Sequence, residues 1–119
     1  MGYHVIDPGT ITPTDGRPST TRDIQAEIGL EHLGLRQYTV EPGEDIPVSG
    51  MHLHETQEEV FYVIDGTLRV ETPETVYTVE RGQFFIAEPE SPHRAFNDSE
   101  ENCRVIGMGA PKIEDGRSV

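Results

Sequence analysis

Gly50-Met51-His52-Leu53-His54-Glu55-Thr56-Gln57-Glu58-Glu59-Val60-Phe61-Tyr62-Val63-Ile64-Asp65-Gly66 carries both a chemistry and a fold. In a strand, alternate residues face the same side, so His52 and His54 point the same way. Their separation of roughly 6.5–7 Å along a strand lets both rings converge on one ion at about 2.1 Å. Glu55-Thr56-Gln57 can turn the chain, and Glu58 to Val63 starts a second strand that returns a carboxylate beside the imidazoles. Glu59 shares parity with Phe61 and Val63, and Glu58 with Val60 and Tyr62. Both faces are apolar, so alternation leaves the choice between the two carboxylates open. Asp65-Gly66 then closes the strand with a strong hairpin dipeptide. A His-x-His pair by itself is a weak signal of metal binding, because exposed pairs occur by chance.

Outward from this stretch the chain reads as short strands between turns. Gln37-Tyr38-Thr39-Val40 precedes Pro42-Gly43, and Leu68 to Glu71 and Val76 to Val79 alternate cleanly. Phe84-Phe85-Ile86-Ala87 leads into Pro89 and Pro92, and Arg104-Val105-Ile106 ends the series. That spacing is expected of a β-sandwich or barrel. An amphipathic helix of three turns is absent throughout, which excludes an alternating α/β architecture.

The ends read differently. Tyr3-His4-Val5-Ile6 reads as a short strand, and residues 7–23 are dense in Pro, Gly, Ser and Thr, an irregular surface arm. Residues 23–34 have room for one helical turn, limited by Gly29 and Gly34. The expected organisation of this single domain is an N-terminal strand and arm over 1–34, a barrel over 35–110 and a polar, frayed tail over 111–119.

Composition narrows the function. With 22 Asp plus Glu against 9 Lys plus Arg, the formal net charge is -13. A phosphate backbone or an anionic membrane surface would be repelled, so neither nucleic acid nor membrane is expected as a partner. Lys112 is the only lysine. An acid-rich, lysine-poor chain resembles proteins of salt-loving microbes, in which molar salt screens repulsion between carboxylates. Apolar residues make up 34% and the mean hydropathy is -0.52, so one modest core is what the chain can bury. Cys103 is the single cysteine; no intrachain disulfide can form, and its place in an alternating strand suits a small core filler. The N-terminus has neither the basic stretch nor the apolar run of a signal peptide, which makes the cytoplasm the expected location.

His93 stands directly after a proline turn, in Glu88-Pro89-Glu90-Ser91-Pro92-His93-Arg94-Ala95-Phe96-Asn97. Together the two stretches resemble the paired motifs of the cupin superfamily. The first is His-x-His, a few residues, Glu, six residues, Gly; Gly66 fixes that register and selects Glu59. The second opens with a Gly, passes a proline-rich turn, and ends in His, three residues and Asn; Gly82, Pro89, His93 and Asn97 fit it. The resemblance covers roughly residues 35–108, and the chain is similar to small single-domain cupins of haloarchaeal type. One departure is Glu90, which stands where the turn before the histidine normally has Gly.

The resemblance implies an all-β, jelly-roll barrel with a metal inside, bound by His52, His54, Glu59 and His93. Three nitrogens and one oxygen suit one divalent ion of iron, manganese, nickel, cobalt, copper or zinc. It also implies a small-molecule substrate or ligand and a homodimer. Among the activities, dioxygenase-like oxidation is favoured because it asks for no acid or base beyond the metal. Isomerases and lyases of sugars or carboxylic acids, and a non-catalytic binding barrel, are the alternatives. Glu90 is expected to change the turn or to add a carboxylate at the pocket mouth. His4 and His32, without partners at ligand spacing, read as surface residues.

Overall fold

Strand formation follows the alternation. In β5 (Glu58–Asp65), Glu59, Phe61 and Val63 are buried while their neighbours are less so. In β10 (Cys103–Ala110) the buried positions are Cys103, Val105, Gly107 and Gly109. In β6 (Thr67–Glu71) they are Leu68 and Val70. The computed structural model describes residues 2–119. The remaining strands are β1 (Thr20–Asp23), β2 (Gly34–Val40), β3 (Asp45–Ile46), β4 (His52–His54), β7 (Val76–Glu80), β8 (Phe84–Ala87), β9 (Arg94–Phe96) and β11 (Gly116–Ser118).

Two antiparallel sheets face each other, one ordered β1-β2-β10-β5-β8 and the other β3-β9-β6-β7. This is the expected all-β jelly roll. Between the sheets lies a core of Tyr38, Val40, Ile46, Phe61, Val63, Leu68, Val70, Val79, Ala95, Cys103 and Val105. Burying a side chain of this size is worth about 1.5–3 kcal/mol, so this cluster supplies the main drive to fold. Cys103 is fully buried, and burial pushes its thiol up to about 11, which suits core filler and not a nucleophile. Among the described residues, no helix is long and apolar enough to cross a membrane.

The filling of this space is uneven along β10. Cys103 and Val105 pack into the core, but the next two inward positions are Gly107 and Gly109. A Cβ at Gly107 would sit 2.5 Å from the Tyr38 ring, and one at Gly109 would sit 2.6 Å from the Gln57 side chain. The glycines let Tyr38 and Gln57 lie flat against the sheet and leave this end of the barrel hollow.

The ends of the chain depart from the sequence reading. Tyr3 to Ile6 form no strand, and Tyr3 and Val5 are exposed. The strand of this region is β1, which pairs Thr20–Asp23 with Thr39–Arg36 of β2 and whose polar sequence concealed it. The single helical turn does form, as α1 (Ile24–Ile28), with Asp23 accepting from the Ala26 N–H and Gly29 closing it in the left-handed region. The tail is not frayed: β11 pairs Gly116 with His54 and Ser118 with His52.

Candidate metal centre

β4 places His52 and His54 on one side, as its extended backbone requires, and β5 returns Glu59 between them. His93 arrives from the other sheet. It is tied to His52 by reciprocal backbone hydrogen bonds, His52 N–H to His93 O at 3.0 Å and His93 N–H to His52 O at 2.9 Å. The Glu59 carboxylate is the hub. Its Oε1 lies 2.6 Å from His93 Nε2 and 3.4 Å from His52 Nε2, and its Oε2 lies 3.5 Å from His54 Nε2. Donor atoms of His52, Glu59 and His93 all lie within 4.8 Å of one another, and all three residues are buried. His54 joins from the more open side, through Glu59 Oε2. All four residues singled out in the sequence therefore meet. Glu58 does not: it is exposed, on the other face of β5.

The hydrogen-bond pattern tests whether these residues fit a cation. His93 Nδ1 lies 2.8 Å from the Ser91 carbonyl, an acceptor only, so this nitrogen carries the proton. In neutral His93 the Nε2 then presents a lone pair to a carboxylate oxygen 2.6 Å away. Two acceptors at that distance require a positive charge between or on them. The same holds more loosely at His54, whose Nδ1 faces Asp115 Oδ1 at 3.1 Å while Nε2 faces Glu59. Among the described residues, neither ring nitrogen of His52 has a hydrogen-bond partner, and His54 Nε2 has none either. Buried polar atoms left this way are costly, and a metal ion bound at the cluster would satisfy the two Nε2 atoms that face Glu59. The donor set of imidazoles and one carboxylate fits a divalent transition metal.

The electrostatics agree. Burial pushes the Glu59 carboxyl up, but the surrounding His52, His54 and His93 outweigh it and hold the group well below the usual range. The nearby Glu59 carboxylate raises His54, against the lowering by burial, and Asp115 raises it further.

Asp115 was not foreseen. Its Oδ2 accepts from the Thr56 N–H at 2.6 Å, the Thr56 hydroxyl at 2.9 Å and the Gln57 N–H at 3.1 Å, while Oδ1 meets His54. Burial raises its pKa, and these donors together bring it far below that of a free carboxyl. A carboxylate behind a ligating imidazole fixes ring orientation and tautomer. It lies 61 residues from His54 in a polar tail, so spacing offers no signal for it.

The cluster opens on a cavity of about 520 Å³, lined by His52, His54, Glu59, Gln57 and Tyr38 among others. That volume suits a small organic ligand, for which pockets span about 300–1,000 Å³. Burial pushes the Tyr38 hydroxyl up to about 12 against the opposing pull of Arg36, so it stays protonated. Glu90 does not line this cavity. It is exposed and adopts the left-handed backbone, φ 65°, and its N–H donates to the His54 carbonyl at 2.6 Å. The expected change of turn or added carboxylate at the mouth is thus replaced by a glycine-type turn made with Glu. Phe61 is core, whereas Phe84 is 59% exposed beside Tyr62. His4 and His32 are exposed and away from the cluster.

Residues 36–108, more than half of the chain, match the family model of the cupin domain. The chain belongs to the cupin family. No curated protein matches this cupin. Among solved structures it is similar to the polyketide cyclase RemF from Streptomyces resistomycificus. They are 18% identical with a TM-score of 0.82, over 99% of this chain and 86% of that one. A sugar phosphate isomerase of the cupin superfamily from Silicibacter pomeroyi is 18% identical with a TM-score of 0.78, over 90% of this chain and 75% of that one. A proposed sugar phosphate isomerase from Acidithiobacillus ferrooxidans is 25% identical with a TM-score of 0.70, over 77% of this chain. This cupin spans 58% of that protein's length. At such identities the likeness carries the jelly-roll fold and leaves the reaction open.

Proposed function

We propose that this cupin is a metal-dependent enzyme acting on a small organic molecule, with His52, His54, Glu59 and His93 holding one divalent transition metal. The observation that carries the reading is the pairing of two buried acceptors, His93 Nε2 and Glu59 Oε1, 2.6 Å apart, with Glu59 lining the cavity. When bound, the metal would polarise substrate oxygens or exchange electrons with dioxygen. The chain's own part is to fix the imidazole tautomers through Ser91 and Asp115, and to bury the cluster against water.

Dioxygenase-like oxidation is the first reaction class, because it needs little more than an open side and a pocket. Isomerase or lyase chemistry is a second reading, and Tyr38 favours it: a protonated hydroxyl in the cavity wall can donate a hydrogen bond or a proton to a substrate oxygen. Elemental analysis of protein purified without added metal or chelator should find close to one transition-metal ion per chain. Metal-loaded protein given small acids, phenols and sugars should then consume oxygen under the first reading. Product formation without oxygen uptake supports the second, and turnover of nothing, with tight ligand binding, makes the barrel a binding module.

We also propose that the protein pairs with a second copy. Val76, Tyr77, Phe84 and Ile86 are exposed on the edge strands β7 and β8, an apolar surface of the kind that covers itself in dimers. Sedimentation velocity should show a dimer; a monomer independent of concentration would reject this.

A further inference from the structure

Charge is distributed in this molecule in an unexpected way. The chain has 9 basic side chains against 22 acidic ones. The cavity wall nevertheless takes four of the basic ones, Arg17, Arg36, Lys112 and Arg117, and only two of the acidic ones, Glu59 and Glu114. Glu59 is already engaged by the three imidazoles. A surface that repels anions thus surrounds a cavity whose wall attracts them. Over cavity dimensions such a field is only partly screened, since the Debye length is about 8 Å at physiological ionic strength.

The four cations differ in commitment. Arg117 Nε reaches Glu55 Oε1 at 3.3 Å in an exposed pair, and Lys112 Nζ donates to the Leu30 carbonyl at 2.6 Å. Arg36 is partly buried; its Nε reaches Asp23 Oδ2 at 3.3 Å, and its guanidinium sits beside the Tyr38 hydroxyl. Arg17, also partly buried, makes no ion pair or hydrogen bond among the described residues and lines the same cavity as Tyr38. Two guanidinium groups and one buried hydroxyl therefore line the same cavity wall. Guanidinium groups present paired donors that match carboxylate and phosphate oxygens.

We propose that the cavity takes a small organic anion, its carboxylate or phosphate group held by Arg17 and Arg36 beside Tyr38 while the rest of the molecule extends toward the His52–Glu59–His93 cluster. This deepens the reading of the cavity as a substrate site and rests on it. Arg17 and Arg36 are then binding and specificity-determining residues. Lys112 and Arg117 guide the anion to the entrance. Neutral molecules of the same shape are rejected because they leave the two guanidinium groups without a partner.

The test is calorimetric titration of the purified protein at low salt with three compounds: inorganic phosphate, succinate and succinamide, the neutral isostere of succinate. One or both anions should bind and succinamide should not, and which anion binds tells phosphate recognition from carboxylate recognition. Arg17→Ala should weaken the bound anion about tenfold, the loss expected for a charge-assisted hydrogen bond. Arg36→Lys keeps the charge but loses the fork, and should weaken it measurably less. Arg81→Ala is the control: it removes the same charge from outside the cavity and should leave affinity unchanged. Succinamide binding as tightly as succinate, no anion binding, or equal losses in Arg17→Ala and Arg81→Ala would each overturn the proposal. Metal content is measured on the same preparations and titrations are repeated after chelation. A chain that carries no metal yet binds anions through Arg17 sinks the metal reading and leaves the anion site standing. A metal-loaded chain indifferent to charge does the reverse.

Discussion

The consecutive strands β4 and β5 and the short strand β11 lie side by side on the same cluster, yet they are built on different principles. The segment from β4 to β5 supplies His52, His54 and Glu59 within eight positions, and its alternation aims all three inward. β11 supplies no atom to the cluster. It pairs with β4 along its whole length, and Asp115 just before it fixes the His54 ring from behind. One region makes the site and the other holds it still. The contrast teaches that local periodicity brings His52, His54 and Glu59 to one side, whereas the group that orients His54 comes from a distant return of the chain.

The sharpest way to break this contrast is to empty β4 of its ligands. Replacing His52 and His54 together with Ala removes two of the three imidazoles, and metal content of the purified protein should fall from near one per chain to background. Circular dichroism should show the β-structure retained, since neither side chain belongs to the apolar core. Unchanged metal content would refute the ligand assignment.

Next in size is the turn that ends β5. Gly66 has φ 82°, and a Cβ there would lie 2.6 Å from the Asn102 carbonyl and 2.7 Å from Cys103 Cα. Gly66→Ala combines backbone strain with a clash against backbone atoms that cannot move aside, and should cost about 3 kcal/mol in a denaturant titration. A cost below about 1 kcal/mol would show that the turn relaxes, and that Gly66 marks the register without enforcing it.

Asp115→Asn tests β11's side of the comparison. It keeps the shape but weakens the hold on His54 Nδ1 and on the Thr56 and Gln57 amides. Metal affinity should drop about 10- to 100-fold, the usual loss when a carboxylate behind a ligating histidine is removed, while metal stoichiometry at saturation stays near one. An unchanged affinity would reduce β11 to a packing element.

This division explains what the sequence could and could not disclose. The strands around Phe61, Leu68 and Val105 were legible because each alternates against a single core. The register of Glu59 was legible because Gly66 and the second motif constrain it. Asp115, Arg36, Tyr38 and the hollow beside Gly107 and Gly109 were not, because each acquires its role only when distant strands meet: β10 against β2 places Gly107 beside Arg36 and close to Tyr38. β1 and β11 were read as coil for a related reason. Both are short and polar, and their pairing depends on β2 and β4 offering an edge.

Glu90 allows the finest test, because it supports His54 from a third direction. Its N–H donates to the His54 carbonyl from a backbone at φ 65°, a conformation that disfavours a side chain. Glu90→Gly relieves that strain but gives the unfolded chain more freedom, and the two nearly offset, so stability should rise by about 0.5 kcal/mol. Metal affinity should not change, because the hydrogen bond to His54 comes from the backbone and the Glu90 side chain is exposed. A fall in metal affinity would mean that the carboxylate itself acts on the site, and would move Glu90 from the scaffold to the company of Asp115.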